Sequence, residues 1–186
     1  MPRRGTFVHS PSIVRAGPRR LPFTLGGTTS PELEMPSVKR VQFSITIAAP
    51  VSTVYAAMID PESYKQWTSA FTYGSYYEGS WQEGSRIRFL SPSGDGVIAE
   101  IAENRPSEFI SIRHLGFIAQ GVEDTGSEAV RAWAPAYENY TFTPTPNGTR
   151  LVVDQDVTEK LESYMAEAWP KALAKLKALS EHESAA

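Results

Sequence analysis

Hydrophobic and polar residues alternate strictly in "VQFSITI" (41–47), where every second residue is apolar. This period of two predicts a half-buried strand. The period then lengthens to that of a helix, whose apolar stripe consists of Val51, Val54, Tyr55 and Met58. A second short helix is predicted after it, because Asp60 and Pro61 supply an N-cap and a first helical residue. Trp67 ends this second helix.

A period of two returns near residue 73 and continues through most of the remaining chain. Apolar–polar segments of this kind, separated by turn residues, predict successive strands. The six candidate strands are 73–80, 84–90, 95–103, 108–117, 134–143 and 148–157. Short connections between sequential strands favour an antiparallel meander.

The last segment, "TEKLESYMAEAWPKALAKLKALSE" (158–181), has the apolar spacing of one long helix. Its stripe consists of Leu161, Met165, Trp169, Ala172 or Leu173, Leu176 and Leu179. Pro170 is expected to bend the helix, because proline removes one backbone hydrogen bond. The order of elements predicts an α+β fold, in which a curved seven-stranded antiparallel sheet wraps on the long C-terminal helix and two short helices follow strand 1.

The first 34 residues are rich in proline and glycine and have no sustained hydrophobic period. We predict that residues 1–38 form a disordered N-terminal extension and that residues 39–182 form the folded domain. An alternative is that translation begins at Met35, immediately before the first strand. The segment "RRLPF" is similar to a twin-arginine export signal, but no apolar stretch follows it.

Charge and cysteine content exclude several classes of function. The net charge is −3, and the five arginines of residues 1–34 leave an acidic remainder. An acidic domain lacks the clustered Lys and Arg that nucleic acids and anionic membranes require, so neither is expected as a partner. The absence of cysteine excludes disulfides and thiolate metal sites. No apolar run is long enough to span a membrane, and we expect a cytoplasmic protein.

Five segments resemble, in their order and spacing, the SRPBCC superfamily, which has the START and pollen-allergen type helix-grip fold. They are "ITIAAPVSTVYAAMIDPESYKQWT", "GSWQEGSRIRF", "ENRPSEFISIRHLG", "AYENYTFTPTPNGTRLVV" and "MAEAWPKALAKLKAL". Within the superfamily, residues 40–181 are most similar to the bacterial homologues of the heat-shock ATPase activator. The resemblance implies a deep, mostly apolar cavity between sheet and long helix. It leaves the function open, because members include lipid and hormone carriers, polyketide cyclases, aromatase-type enzymes and co-chaperones.

Aromatic residues are the main candidates for the cavity wall. Six of the fifteen residues in "WTSAFTYGSYYEGSW" (67–81) are aromatic, and rings bury large areas with little rotamer entropy to lose. The candidate ligand-binding residues from this segment and from the long helix are Trp67, Phe71, Tyr77, Trp81, Met165 and Trp169. The alternative is that these rings only fill the core of a small curved sheet.

The run from Gly116 to Trp133 is unusually long for a loop in a meander. Within it, "SEAVRAW" predicts one or two helical turns, and three glycines flank these turns. This arrangement is typical of a lid, and Trp133 is its candidate ligand contact. The alternative is that this run of residues has a structural role alone.

His114, Glu138 and Tyr140 are the candidate polar groups of the cavity. An imidazole titrates near neutral pH and can act as acid or base. A carboxylate and a phenol in an apolar cavity can orient a polar ligand group. His114 and Glu138 are therefore the candidates for catalysis. The alternatives are that His114 is a hydrogen-bonded structural residue and that Glu138 and Tyr140 lie on a strand face that points towards solvent.

Three functions fit these observations. The favoured one is a carrier or sensor of a small hydrophobic molecule, because no catalytic set is assembled in the sequence. The others are an enzyme acting on an apolar substrate, such as a cyclase, dehydratase or hydrolase, and a co-chaperone-like protein partner. No metal or cofactor is expected, since neither Ca²⁺-loop spacing nor a nucleotide-binding fingerprint is present. The sequence carries no signal for an oligomeric state.

Overall fold

The computed structural model describes residues 38–185, so the predicted N-terminal extension lies outside the described residues except for Val38. The elements are β1 (Val38–Ile47), α1 (Val51–Ile59), α2 (Pro61–Thr68), β2 (Tyr76–Gly79), β3 (Arg86–Leu90), β4 (Gly96–Arg105), β5 (Phe109–Ala119), β6 (Val122–Asp124), α3 (Glu128–Arg131), β7 (Ala136–Thr145), β8 (Gly148–Thr158) and α4 (Glu159–Ala185). The predicted α+β class and the order of its elements are confirmed.

The strands form one antiparallel sheet in the order β1-β8-β7-β5-β4-β3-β2. Strand β6 is an eighth, short strand that pairs with the end of β5. The sequence predicts seven strands because residues 122–124 are too few to give a periodic signal. Strand β2 begins at Tyr76 rather than at residue 73, and Tyr73 is 88% exposed in the preceding turn.

Helix α4 crosses the sheet and buries one face against it. Its buried residues are Ala168, Trp169, Ala172, Leu173, Leu176 and Ser180. The helix continues through Pro170 without interruption. Leu161, at the N-terminal end of the predicted stripe, is 41% exposed. The part of α4 from Ala168 to Ser180 therefore packs on the core, whereas Leu161 in the first turn does not.

Helices α1 and α2 close the side of the sheet beneath α4. Asp60 caps α2 as predicted, and its carboxylate accepts the backbone N–H groups of Glu62 and Ser63 at 3.0 and 2.9 Å. The buried Trp67 indole donates to the Met58 carbonyl at 3.1 Å. This bond joins the ends of the two helices and fixes the Trp67 ring against the core.

A β-bulge in β5 determines which side chains face the interior. Ala99 pairs with His114 and Ile98 pairs with Gly116, so Leu115 is an extra residue in β5. His114 and Phe117 therefore both face the cavity, although an odd number of positions, three, separates them along the strand. After β6 the chain leaves the sheet over residues 125–135, which include α3. It then re-enters the sheet as β7, which pairs with β5.

No helix within residues 38–185 is long and apolar enough to cross a membrane.

Acid is expected to destabilise the fold partly through Glu181 of α4. Its carboxylate accepts the Ala48 backbone N–H at 2.7 Å and lies 3.3 Å from Lys177 Nζ, and both interactions lower its pKa below the usual 4.5. A lowered pKa in the folded state adds stability above about pH 4.5, and this stability is lost as pH falls through the folded value. Glu181→Gln should therefore flatten the decline of Tm between pH 5 and pH 3.

Thermal melts followed by circular dichroism across that pH range would measure this effect. Glu167→Gln, at an exposed position of the same helix, is the matched control. Equal acid sensitivity of the wild type and Glu181→Gln would contradict the assignment.

Candidate functional site

A cavity of about 460 Å³ lies between the concave face of the sheet and helices α2 and α4. Six aromatic residues, here called the inner rings, line its closed end: Tyr64, Trp67, Phe71, Trp81, Tyr140 and Trp169. The outer rings of the lining are Phe117, Trp133 and Tyr164. Phe89 contacts Tyr64 of the inner rings and, through His114, leads to Trp133. The cavity is therefore enclosed mainly by aromatic surface.

Trp169 of α4 is the centre of the inner rings. Its ring is stacked on Phe43 and Trp67, with centroids 5.8 and 6.3 Å apart. Phe71 and Tyr140 meet it edge-on at 5.0 and 6.0 Å. Offset and edge-to-face contacts of this kind hold aromatic side chains in fixed orientations. The inner end of the cavity is consequently a rigid wall.

A buried chain of hydrogen bonds crosses this wall. The Trp169 indole donates to Gln155 Oε1 at 2.7 Å, and Gln155 Nε2 donates to Glu138 Oε2 at 2.7 Å. The Tyr140 hydroxyl donates to the other carboxylate oxygen of Glu138. Gln155, Glu138 and Tyr140 lie on the neighbouring strands β7 and β8, where Glu138 pairs directly with Gln155. The strand register therefore assembles the polar group.

His114 lies beside this polar group on β5. Its Nε2 is 3.6 Å from Glu138 Oε2, and its Nδ1 is buried with no hydrogen-bond partner among the described residues. The residue is 7% exposed. The Trp133 and Phe89 rings flank the imidazole at 5.6 and 6.5 Å. A buried polar atom without a partner is costly, so packing alone does not explain a histidine at this position.

The open end of the cavity is formed by the outer rings and the first turns of α4. Trp133 stacks on Phe117 with 4.8 Å between centroids and 14° between planes. Leu161 and Tyr164 of α4 line the same opening and are largely exposed. Ser127 caps α3 by accepting the Val130 N–H, which fixes the short helix ahead of Trp133. A gating role for this excursion stays a prediction.

The structure brings nine of the ten residues selected from the sequence to the cavity lining. These are Trp67, Phe71, Trp81, His114, Trp133, Glu138, Tyr140, Met165 and Trp169. Tyr77 does not line it: the Tyr77 hydroxyl donates to the Ile59 carbonyl at 2.7 Å, and its ring packs behind Tyr64 and Trp81. Whether any of these residues contacts a ligand stays a prediction.

Sequence reasoning did not select four lining residues that matter for the site: Tyr64, Phe89, Phe117 and Gln155. Gln155 had a detectable signal, because it occupies an inward position of β8 between the buried Val153 and Val157. A polar residue at an apolar position of an alternating strand is informative. Phe117 had no such signal, since only the bulge turns it inwards.

Alkaline pH is expected to destabilise the fold through Tyr140. Burial, the nearby negative charge of Glu138 and the hydrogen bond to it raise the Tyr140 pKa well above 10.0. The unfolded chain therefore loses this proton first, and stability is lost as pH rises above about 10. Tyr140→Phe should lower Tm at pH 7, because a hydrogen bond to a charged group is removed, but should show a smaller further drop between pH 9 and pH 11.

Thermal melts of the two proteins at each pH would measure that difference. Tyr73→Phe, at an exposed tyrosine, serves as the control. A drop between pH 9 and pH 11 as large in Tyr140→Phe as in the wild type would contradict the prediction.

A long helix held against a curved antiparallel sheet, with a ring-lined cavity between them, defines a helix-grip protein. The chain belongs to the family described as Activator of Hsp90 ATPase homolog 1-like protein, whose model matches residues 48–181. The superfamily and branch expected from the sequence are thereby confirmed. No curated protein matches the chain.

Solved structures share the fold at low sequence identity. Protein MLL2253 from Mesorhizobium loti is 17% identical, with a TM-score of 0.61 over 77% of this chain and 98% of that chain. ChR145 from Cytophaga hutchinsonii is 20% identical, with a TM-score of 0.59 over 81% and 99%. DynU16, from the dynemicin biosynthetic locus, is 20% identical, with a TM-score of 0.58 over 78% of this chain and 48% of that chain. These likenesses establish the fold alone.

Proposed function

We propose that this protein binds a small, largely apolar molecule in the cavity between the sheet and α4, as a carrier or sensor in the cytoplasm. The observation that supports the proposal is the cavity of about 460 Å³ with its inner rings. Ligand pockets typically measure about 300–1,000 Å³ and combine apolar walls with a few polar groups. A core that was only structural would gain stability by filling this volume.

The polar group at the inner end supports a defined ligand orientation. Glu138, Tyr140 and Gln155 are held by hydrogen bonds to one another, so they need no rearrangement when a ligand binds. The His114 imidazole lies beside them, with Nε2 3.6 Å from Glu138 Oε2. A ligand with one polar end would therefore place that end inwards and its apolar body among the rings.

Native mass spectrometry of protein purified gently from its own host would test the proposal. We expect a retained small molecule, and we expect Trp133→Ala to lose it because that ring lines the open end of the cavity. Tyr73→Ala is the matched control, since it removes an exposed ring outside the cavity. A ligand-free protein that binds no member of an apolar compound panel would overturn the proposal and favour a protein-binding role.

A second candidate is an acid–base enzyme in the same cavity. His114 Nε2 lies 3.6 Å from Glu138 Oε2, and Nδ1 is unpartnered. Such a histidine can exchange a proton with a bound substrate while the carboxylate orients it. Once the retained molecule is identified, its consumption by the wild type but not by His114→Ala would favour the enzyme. Binding without consumption would favour the carrier.

A further inference from the structure

The charged groups around the cavity are all of one sign. Among residues 38–185, neither lysine nor arginine lines the cavity, and the carboxylates that do are those of Asp95 and Glu138. Asp95 is already engaged at the open end, where it accepts the Gln120 N–H at 2.7 Å and the Ser93 hydroxyl at 3.0 Å. Glu138 is therefore the carboxylate that a ligand inside the cavity would meet.

Glu138 is a largely buried carboxylate without a permanent countercharge. Its side chain is 14% exposed, and His114 is its one ion-pair partner among the described residues. The bonded neighbours Tyr140 and Gln155 are neutral donors. Buried charges are normally paired, because an unpaired one costs several kcal/mol of desolvation. A carboxylate has about four acceptor sites, so capacity for a further donor remains.

His114 lies beside this carboxylate on the Nε2 side of its ring. With Nε2 turned towards Glu138, we assign the ring proton to Nε2. Nδ1 lies on the opposite side of the ring, so a cation bound at Glu138 is out of its reach. The Trp81 ring meets the Tyr77 ring edge-on at 5.5 Å, and its N–H opposes the burial that raises the Tyr77 pKa.

We propose that the ligand carries a protonated amine on an apolar, ring-sized body, with the amine at the Glu138 carboxylate. The inference rests on the proposed function and specifies its ligand class. An ammonium group supplies the missing countercharge to the carboxylate and donates a hydrogen bond to one of its oxygens. The surrounding Trp and Tyr faces attract the same cation through their π-electrons. A carboxylate or phosphate would instead meet like charge in a medium of low polarity.

Three probes with one apolar body test this choice: 1-naphthylmethylamine, 1-naphthalenemethanol and 1-naphthoic acid, each titrated calorimetrically at pH 7. The amine should bind the wild type about 30-fold or more tightly than the acid, with the alcohol between them. In Glu138→Gln, the amine should lose about tenfold or more in affinity, whereas the alcohol should change by less than about threefold.

The outcomes separate this inference from the proposed function. Preference for the acid would overturn the inference while leaving ligand binding intact. Equal loss of amine and alcohol in Glu138→Gln would also overturn it. Failure of all three probes to bind would overturn the inference. Native mass spectrometry would then test separately whether the protein binds any small molecule. The wild-type ranking decides the choice even where Glu138→Gln does not fold.

Discussion

Trp169→Ala is expected to lower the free energy of unfolding by about 3–5 kcal/mol, the usual cost of removing a buried tryptophan. The ring is 1% exposed and touches Phe43, Trp67, Phe71 and Tyr140. Alanine would leave a void that joins the existing cavity. It would also leave Gln155 Oε1 without its donor, which adds the cost of an unsatisfied buried acceptor. Urea unfolding followed by circular dichroism would measure the change.

Two variants separate the contributions to this loss. Trp169→Phe keeps a ring in the stack but removes the indole N–H, so it should cost clearly less than Trp169→Ala. Tyr73→Ala removes an 88% exposed ring from the aromatic segment and should change stability by less than about 0.5 kcal/mol. A loss below about 1 kcal/mol in Trp169→Ala would mean that the stack around this ring does not hold the helix to the sheet.

The fold was predictable where local periodicity coincides with burial. In "VQFSITI" the inward residues alternate, and the long helix repeats its apolar residues at helical spacing, so each element could be recognised separately. The pairing of β1 with β8 could not, because it joins Phe43 to Val153 across more than one hundred residues. Recognition of the superfamily supplied this long-range information, which periodicity alone does not contain.

Side chains that point inwards were predictable only where the strand is regular. Glu138 and Tyr140 share an inward face of β7 with Phe142. Alternation puts these residues on one face but does not tell whether that face points inwards. In β5 the extra residue Leu115 reverses the alternation, so alternation does not place Phe117 on the same face as His114, which was selected for its imidazole. A one-residue change of register exchanges the two faces of a strand. The local sequence does not predict where such a bulge occurs.

The aromatic segment 67–81 illustrates why ring content alone does not define a site. Trp67 and Trp81 are both core residues and cavity residues. The Tyr77 hydroxyl is hydrogen-bonded to the Ile59 carbonyl outside the cavity lining, and Tyr73 is exposed to solvent. These differences follow from the turn that precedes β2. Because of this turn, the strand begins at Tyr76, three residues later than predicted. The rings near the closed end thus stabilise the fold and shape the cavity at once, so substitutions there change stability and binding together.

Gly116 lies within β5 opposite the end of β6, where the excursion that carries Trp133 begins, and its lack of a side chain permits a close backbone contact. A Cβ atom at this position would lie 2.0 Å from the Asp124 carbonyl oxygen and 3.0 Å from Thr125 Cα. Both distances are to backbone atoms, so the clash with an added Cβ can be removed only if strand β6 moves. Asp124 in turn accepts the N–H groups of Gly126 and Ser127 at 3.1 and 2.9 Å, which links any displacement to α3.

Gly116→Ala is therefore expected to lower the free energy of unfolding by about 1–3 kcal/mol, the usual cost of overpacking, and to shift the Trp133 ring away from Phe117. Gly126→Ala is the matched control in the same excursion, because no atom lies within 4 Å of its added Cβ and its φ is outside the left-handed region. It should be neutral or slightly stabilising, since alanine reduces the entropy of the unfolded chain. Urea unfolding and tryptophan emission of both variants would measure the difference. Equal stability of the two would mean that the close approach of Gly116 to β6 does not position the outer rings, and that Trp133 reaches the cavity independently of the β5 bulge.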